Sequence, residues 1–250
     1  MNPAQHPQGH AVIIGAGHAG GTLAALLRQY GHPGPITVVG GEDLPPYLRP
    51  RLSRAWLQQA MGPDELLPRP AGASADQAIA LRPGMRAMAI EPGSRQVALN
   101  DGSVLHYEHL VIATGSAPRW LVLPGDERPG ITYLRTMEDA QALRVHLQTA
   151  RCLAIIGGGY AGLEIASTAR KLGVQVRIIE REGRLLTRSA SPQMAAHLLQ
   201  LHAGQGVEVH FNAAVAAIQG DSPTRITALW MADGSRLECD AVLIGVGAAP

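Results

Sequence analysis

Hydrophobic and polar positions along this chain fall into short apolar runs that alternate with helical periodicity. The run at residues 10–14 predicts a buried strand, followed by a helix over 18–30 that stops at Gly31 with Pro33 beyond it. A second strand, 36–39, closes at Gly40-Gly41 and leads into the proline-broken loop Pro45-Pro46-Tyr47-Leu48-Arg49-Pro50 and a short helix near 52–59. Residues 62–75, rich in Pro, Gly and Ala, read as a surface loop, and strands follow near 86–90, 95–99 and 109–113. Residues 116–130 read as a connector. Beyond it the pattern predicts helices over 138–149, 160–172 and 192–203, and strands over 152–156, 174–180, 207–211, 225–231 and 236–246. Apolar strands alternating with helices predict an α/β chain with parallel sheets.

Two of the strands run into the same signature. His10-Ala-Val-Ile-Ile precedes Gly15-Ala16-Gly17-His18-Ala19-Gly20, and Cys152-Leu-Ala-Ile-Ile precedes Gly157-Gly158-Gly159-Tyr160-Ala161-Gly162. In G-x-G-x-x-G the first glycine makes the turn, the second admits a pyrophosphate and the third lets helix pack on strand. The helix N-terminus then faces the phosphates. One copy is weak evidence; two in matching context point to two nucleotides held by one chain. A second repeat supports this, because Asp101 to Pro118 realigns without a gap on Asp233 to Pro250, each stretch reading as an Asp-Gly turn, a strand and an apolar strand closed by glycine. The expected architecture is two Rossmann-like domains, 1–115 (with 1–9 a polar tail) and 116–250.

Composition narrows the class without choosing a function. Hydrophobic residues make up 46% and charged residues 16%, with a net charge of +1, which offers no electrostatic case for nucleic acid or an acidic membrane surface. The two cysteines, Cys152 and Cys239, have no metal-ligand spacing and read as small buried hydrophobes, so no metal is expected. Neither a signal peptide nor a membrane-length apolar run is legible, and a reducing cytoplasm is the default expectation.

The acid closing the second strand of a Rossmann unit hydrogen-bonds the adenosine ribose. In the second copy that acid is Glu180, and a carboxylate there repels a 2′-phosphate, favouring NADH over NADPH. Arg181, Arg184 and Arg188 argue the other way if they turn toward it. In the first copy the nearest acid, Glu42, comes one residue late, and either reaches the ribose or stands exposed.

Taken together, Gly15 to Gly20, Leu110-Val-Ile-Ala113-Thr114-Gly115, Leu134-Arg135-Thr-Met-Glu-Asp-Ala140 and Ile156 to Glu164 resemble the FAD-dependent reductases that serve ferredoxins and rubredoxins, a branch of the pyridine nucleotide-disulfide oxidoreductase superfamily. The resemblance runs over essentially the whole chain from His10. It implies FAD on Gly15, Ala16, Gly17, His18, Ala19 and Gly20, with Glu42, Arg49, Ala87, Ala113, Thr114, Gly115 and Arg135 as further contacts. It implies NADH on Gly157, Gly158, Gly159, Tyr160, Ala161 and Gly162, with Glu180, Arg181, Arg188 and the closing Val246-Gly247. Glu164 matches a helix glutamate near nicotinamide and flavin, and the implied partner is an iron–sulfur electron-transfer protein.

Three departures qualify the resemblance. Where the family reads R-P-P-L-S-K, this chain has Arg49-Pro-Arg51-Leu-Ser-Arg54; Arg54 can pair with Glu164 but cannot release a proton. The family acid directly after Val-Gly is Gly41 here. Relatives return to the FAD domain with a Gly-Asp contact and then add an interface domain, whereas this chain ends at Pro250. The first domain is therefore expected to be incomplete, with weaker FAD binding or an uncovered strand edge. A cysteine pair beside the first glycine motif is absent, which argues for an external acceptor rather than a disulfide. Two alternatives stay open: an NADH oxidase or nitrite reductase flavin portion, and a non-catalytic nucleotide-binding module.

Overall fold

The computed structural model describes residues 9–62, 64–66 and 78–250. Most of the predicted 62–75 loop and the 1–8 tail lie outside the described residues. The chain forms two compact units, one of residues 9–49, 62–116 and Pro250, the other of 50–61 and 117–249.

In the first unit, β1 (Ala11–Ile14), β2 (Ile36–Val39), β3 (Ile79–Arg82) and β7 (His109–Ile112) form a parallel sheet in the order β3-β2-β1-β7. Between β3 and β7 the antiparallel strands β4 (Ala87–Glu91), β5 (Gln96–Leu99) and β6 (Val104–His106) form a second small sheet. Successive residues of β1 serve opposite faces. Ala11 and Ile13 pack with Ala24 of helix α1 (His18–Gln29), while Val12 and Ile14 pack with Val97 and Leu99 of β5. A strand buried on both faces must be apolar throughout, which is why β1 reads as a continuous run.

The second unit repeats this plan. After β8 (Ala117–Pro118) and β9 (Ile131–Thr132), helix α2 (Met137–Thr149) precedes β10 (Cys152–Ile156), helix α3 (Tyr160–Lys171) and β11 (Gln175–Ile179). Helix α4 (Pro192–Gly204) leads to β12 (Val207–His210), and β13 (Val215–Gln219), β14 (Ala228–Met231) and β15 (Arg236–Glu238) form the antiparallel sheet. β16 (Ala241–Ile244) completes a parallel sheet in the order β12-β11-β10-β16-β9, and β17 (Ala248–Ala249) pairs back on β8. Chain order reverses between β1 and β7 in one sheet and between β10 and β16 in the other, so each sheet opens its ligand crevice at the carboxyl ends of those strands.

The expected alternation holds, with local corrections. Five strands, β3, β8, β9, β13 and β17, escape the periodicity: β8, β9 and β17 are two residues long, and β3 and β13 mix alanine with arginine or glutamine in a partly exposed pattern. The single strand expected over 236–246 breaks at Cys239-Asp240. There the Asp240 carboxylate accepts from the backbone N–H groups of Arg151 and Cys152, turning the chain out of the hairpin and into the parallel sheet. The strand expected over 225–231 begins only at Ala228. The 52–59 helix is a π-helical turn, Leu52–Trp56, and it groups with the second unit rather than the first. The connector is likewise part of the second unit, anchored by β8 on β17. At the first unit's sheet edge, β7 leaves Ile112 64% exposed, whereas β16, flanked by β9, is buried throughout.

His10 introduces a pH dependence. It is buried, its Nε2 lies 2.9 Å from Thr37 Oγ1, and burial pulls its pKa below the ordinary value despite a backbone hydrogen bond involving His106 that acts the other way. The folded state thus binds fewer protons than the unfolded chain, so this contribution is intact above about pH 6.5 and is lost as pH falls through the folded value. His10→Gln, which retains a donor for Thr37 without titrating, should give a shallower fall in thermal midpoint between about pH 7.5 and about pH 5 than the parent chain. Equal slopes in a pH series of unfolding curves would remove His10 from the account.

Candidate functional site

The two glycine turns occupy the two crevices, and their glycines divide by what holds them. At the end of β1, Gly15 has φ +117°, and a Cβ there would fall 2.1 Å from Ala113 O. A Cβ on Gly20 would fall 1.9 Å from Gly15 O. Both positions are closed to any side chain by backbone. Gly17 differs: its backbone is extended, at φ −81°, and a Cβ would meet nothing within 4 Å. The second turn repeats the division. Gly157 (φ +111°) would carry a Cβ 2.5 Å from Gly245 O, and Gly162 one 2.6 Å from Gly157 O, while Gly159 faces open space. Protein packing accounts for the first and third glycines but leaves the middle one unexplained. The middle glycine stands at the helix N-cap with open space beside it, where a ligand could lie against the backbone.

Helix capping points the same way. α2 has a capping box in which Thr136 and Asp139 exchange hydrogen bonds, and Ser191 caps α4. α1 and α3 begin at Gly17 and Gly159 with no side-chain cap and no acidic residue in the first turn. Their leading N–H groups and the positive end of the helix dipole are therefore left for an anion, with His18, Ala19, Tyr160 and Ala161 exposed around them.

The remaining positions of the first unit gather only in part. Ala16 lines a cavity of about 180 Å³ walled by Val38, Leu44, Pro45, Pro46, Leu81 and Pro83, largely apolar but with Arg82 on its wall. Ala113 donates to Ile14 O at 2.7 Å, and Thr114-Gly115 turn just beyond β7. Glu42 takes a place the sequence did not offer: Tyr47 donates to its Oε2 at 2.6 Å, Arg49 pairs with its Oε1, and the Arg49 guanidinium also lies over the Tyr47 ring. Ala87 opens β4, opposite Leu99 and beside a register shift. Arg135 belongs to the second unit, where its backbone N–H donates to Asp139 ahead of α2.

In the second unit Glu180 closes β11 and turns its carboxylate into the glycine loop. Oε2 accepts from Gly158 N–H at 2.7 Å, and Oε1 from Glu182 N–H at 2.9 Å. The neighbouring arginines are engaged. Arg181 pairs with Glu182, and the Arg184 guanidinium donates to the carbonyls of Leu185, Thr187 and Ala190. Arg188 reaches toward Gly247, which has φ +107° and follows the half-buried Val246.

A third cluster centres on Glu164 of α3. Arg54 pairs with its Oε1 at 3.0 Å, as the sequence allowed, and the Ser53 hydroxyl donates to its Oε2 at 2.5 Å. Ser53 was not singled out in the sequence; the available signal was its place in Arg49-Pro-Arg51-Leu-Ser-Arg54, where the family motif also carries serine. The Arg54 side chain is 60% exposed, so that ion pair contributes on the order of 0–1 kcal/mol. A shielded hydrogen bond to a carboxylate contributes about 1.5–3 kcal/mol, so Ser53 is the stronger hold. The cysteines stand apart from all of this. Burial raises the Cys152 thiol and pushes Cys239 up to about 12, leaving both as core thiols, and no metal-binding cluster occurs among the described residues.

Comparison with known proteins gives the same outline. A family model described as pyridine nucleotide-disulphide oxidoreductase matches residues 9–250. The chain is 38% identical over 244 residues to the 5,5'-dehydrodivanillate O-demethylase ferredoxin reductase subunit of Sphingobium sp., covering 98% of this chain and 59% of that protein. It is 34% identical to a rubredoxin-NAD(+) reductase of Ectopseudomonas oleovorans, covering 96% and 62%. Among solved structures, a ferredoxin reductase from Rhodopseudomonas palustris superposes with a TM-score of 0.93 at 36% identity, over 97% of this chain and 60% of that one. Putidaredoxin reductase, in its covalent complex with putidaredoxin, gives a TM-score of 0.93 at 36% identity over 97% and 59%. The chain thus spans about three-fifths of the length of these relatives. No helix among the described residues is long and apolar enough to cross a membrane.

The division among the glycines is testable without any ligand. Gly159→Ala should lower the thermal midpoint by no more than a few degrees, the scale of a changed N-cap. Gly162→Ala, which drives a methyl into Gly157 O, should lower it by more than twice as much or prevent folding. Equal losses in the two variants would mean that Gly159 is a packing glycine after all.

Proposed function

The chain belongs to the pyridine nucleotide-disulphide oxidoreductase family, and from that premise we propose that it is the two-nucleotide portion of an FAD-dependent NADH reductase serving a ferredoxin- or rubredoxin-type iron–sulfur protein. The observation that carries this reading is the repeated glycine turn, in which the middle glycine answers to no protein neighbour and the following helix is uncapped. One such turn serves a single-nucleotide protein; two suit a flavin and a nicotinamide.

In this reading the N–H groups after Gly17 would hold the FAD pyrophosphate, and the largely apolar cavity beside Ala16 its adenosine end. Ala113, Thr114 and Gly115, at the close of β7, would line the path of the flavin nucleotide. Glu42 stiffens the loop through Tyr47 and Arg49 and leaves its outer lone pairs for a ribose. Arg135, ahead of α2, would be a further flavin contact, as the resemblance implies. Bound FAD supplies the chemistry, accepting two electrons with a hydride and releasing them singly.

The second turn would hold NADH, with Gly158 to Gly162 along the pyrophosphate and Val246-Gly247 closing the crevice. Glu180 supports NADH over NADPH, since a carboxylate closing the second strand of a Rossmann unit would repel a 2′-phosphate. Of the arginines that could reverse this, Arg184 is engaged with backbone carbonyls, Arg181 makes a solvent-exposed pair with Glu182, and Arg188 lies toward Gly247. Glu164 and Arg54 would present a charged pair to the reacting rings, and Arg54, which retains its proton, can orient and neutralise but not act as an acid. Cys152 and Cys239 lie in the second unit's core, far in sequence from the first glycine turn, which supports an acceptor outside this chain. A cytoplasmic setting suits two free buried thiols.

The visible spectrum of the purified chain, with FAD and then NADH added anaerobically, tests this directly. Oxidised-flavin bands that bleach with NADH are expected, and Glu164→Gln should slow the bleaching in stopped flow by at least about tenfold. A colourless chain that ignores FAD while still binding NADH would make it a nucleotide-binding module without turnover. For the nucleotide preference, Glu180→Gln keeps an oxygen for the Gly158 N–H but removes the charge. It should narrow the NADH-to-NADPH ratio of kcat/KM by roughly tenfold, the scale of one charge–phosphate repulsion. An unchanged ratio would take Glu180 out of nucleotide selection.

A further inference from the structure

Glu164 and Thr168 stand one turn apart on α3 and so share a face of that helix. The π-helical turn Leu52–Trp56 packs against α3, and Ser53 meets both residues. Its backbone carbonyl accepts from Thr168 Oγ1 at 2.9 Å, and its hydroxyl donates to Glu164 Oε2 at 2.5 Å. A threonine inside a helix ordinarily bonds back to its own helix or faces water. Thr168 is 1% exposed and does neither; it donates to Ser53 and accepts from Gln58 Nε2 at 3.2 Å. Trp56, farther along the same turn, is buried under the Arg144 guanidinium of α2, 4.5 Å from the ring centroid. The turn is thus held by two helices, α3 and α2, and Ser53, 6% exposed, is fixed where its hydroxyl addresses Glu164.

The geometry points to Ser53 as a positioning residue for Glu164, with Thr168 setting the Ser53 backbone. Arg54 approaches the same carboxylate from solvent on a long, exposed side chain, and water screens what it can impose. Ser53 is short and shielded, so it sets the plane of the carboxylate. It occupies one acceptor site of Oε2, while Oε1 pairs with Arg54. The inference rests on the proposed role of Glu164 in hydride transfer from NADH.

The test uses protein labelled with carboxyl-13C glutamate and purified without added nucleotide. The Glu164 resonance is assigned by its absence from Glu164→Gln. Ser53→Ala should move that resonance, Ser53→Thr should return it, and Thr168→Val should move it in the same direction by loosening the Ser53 backbone. With FAD bound, Ser53→Ala should slow flavin reduction by NADH about tenfold with little change in KM, and Ser53→Thr should recover most of the rate. In the Glu164→Gln background, Ser53→Ala should cost less than about twofold more, because its effect passes through the carboxylate. A resonance unmoved in both Ser53→Ala and Thr168→Val would overturn the proposal. So would an equal slowing by Ser53→Ala with and without the Glu164 carboxylate. A resonance that moves while Glu164→Gln itself reduces flavin at the parent rate would instead overturn the role of Glu164, leaving Ser53 a structural clamp.

Discussion

The approach of helix to strand at each glycine turn is the contact from which the rest of this structure follows. Gly20 lies so close to Gly15, and Gly162 to Gly157, that no side chain fits between the helix and the preceding carbonyl. That closeness lets α1 and α3 begin almost at the ends of β1 and β10, so their first N–H groups open onto the carboxyl edges of the parallel sheets. The same edges collect the turns after β7 and β16, where Ala113 and Gly245 press on the opening glycines. One steric demand therefore gathers the helix dipole, the open middle glycine and the closing loop at a single crevice in each unit.

Elsewhere the chain caps its helices well, which gives the two bare N-termini their meaning. α2 closes a reciprocal capping box and α4 has its serine, so uncapped starts are not a general habit of this sequence. The loop after β11 is built toward the same end. Glu180 is tied to Gly158, Leu186 N–H donates to Gly158 O, and Leu185 and Leu186 are buried beneath the turn. Arg184, which on paper looks like part of a phosphate cluster, instead holds this loop in shape through the carbonyls of Leu185, Thr187 and Ala190.

The Leu52–Trp56 turn adds a contact within the second unit that the duplicated Rossmann plan does not supply. It is short, with only a five-residue π-helical core, yet it brings Ser53 and Arg54 to the two oxygens of one carboxylate. Wide π turns frequently mark functional sites, and here the turn places neighbouring residues on the same partner. Its grouping with α2 and α3 also explains why a boundary drawn at one point in the chain cannot divide the units.

The sequence alone determined the duplicated α/β plan, the two glycine turns and the acid closing β11, because each is local. A buried parallel strand must be continuously apolar, a tight turn must be glycine, and both leave their mark within a few residues. Strands such as β3 and β9 left no such mark, since their pairing with β2 and β16 comes from distant chain. Only the tertiary structure decided which glycines answer to packing, that Glu42 is held by Tyr47 and Arg49, and that the Arg184 guanidinium is bound to carbonyls. It alone brought Ser53 to Glu164, because a hydrogen bond across that much chain depends on how a helix face and a turn are packed, and nothing in the local pattern of either segment encodes it.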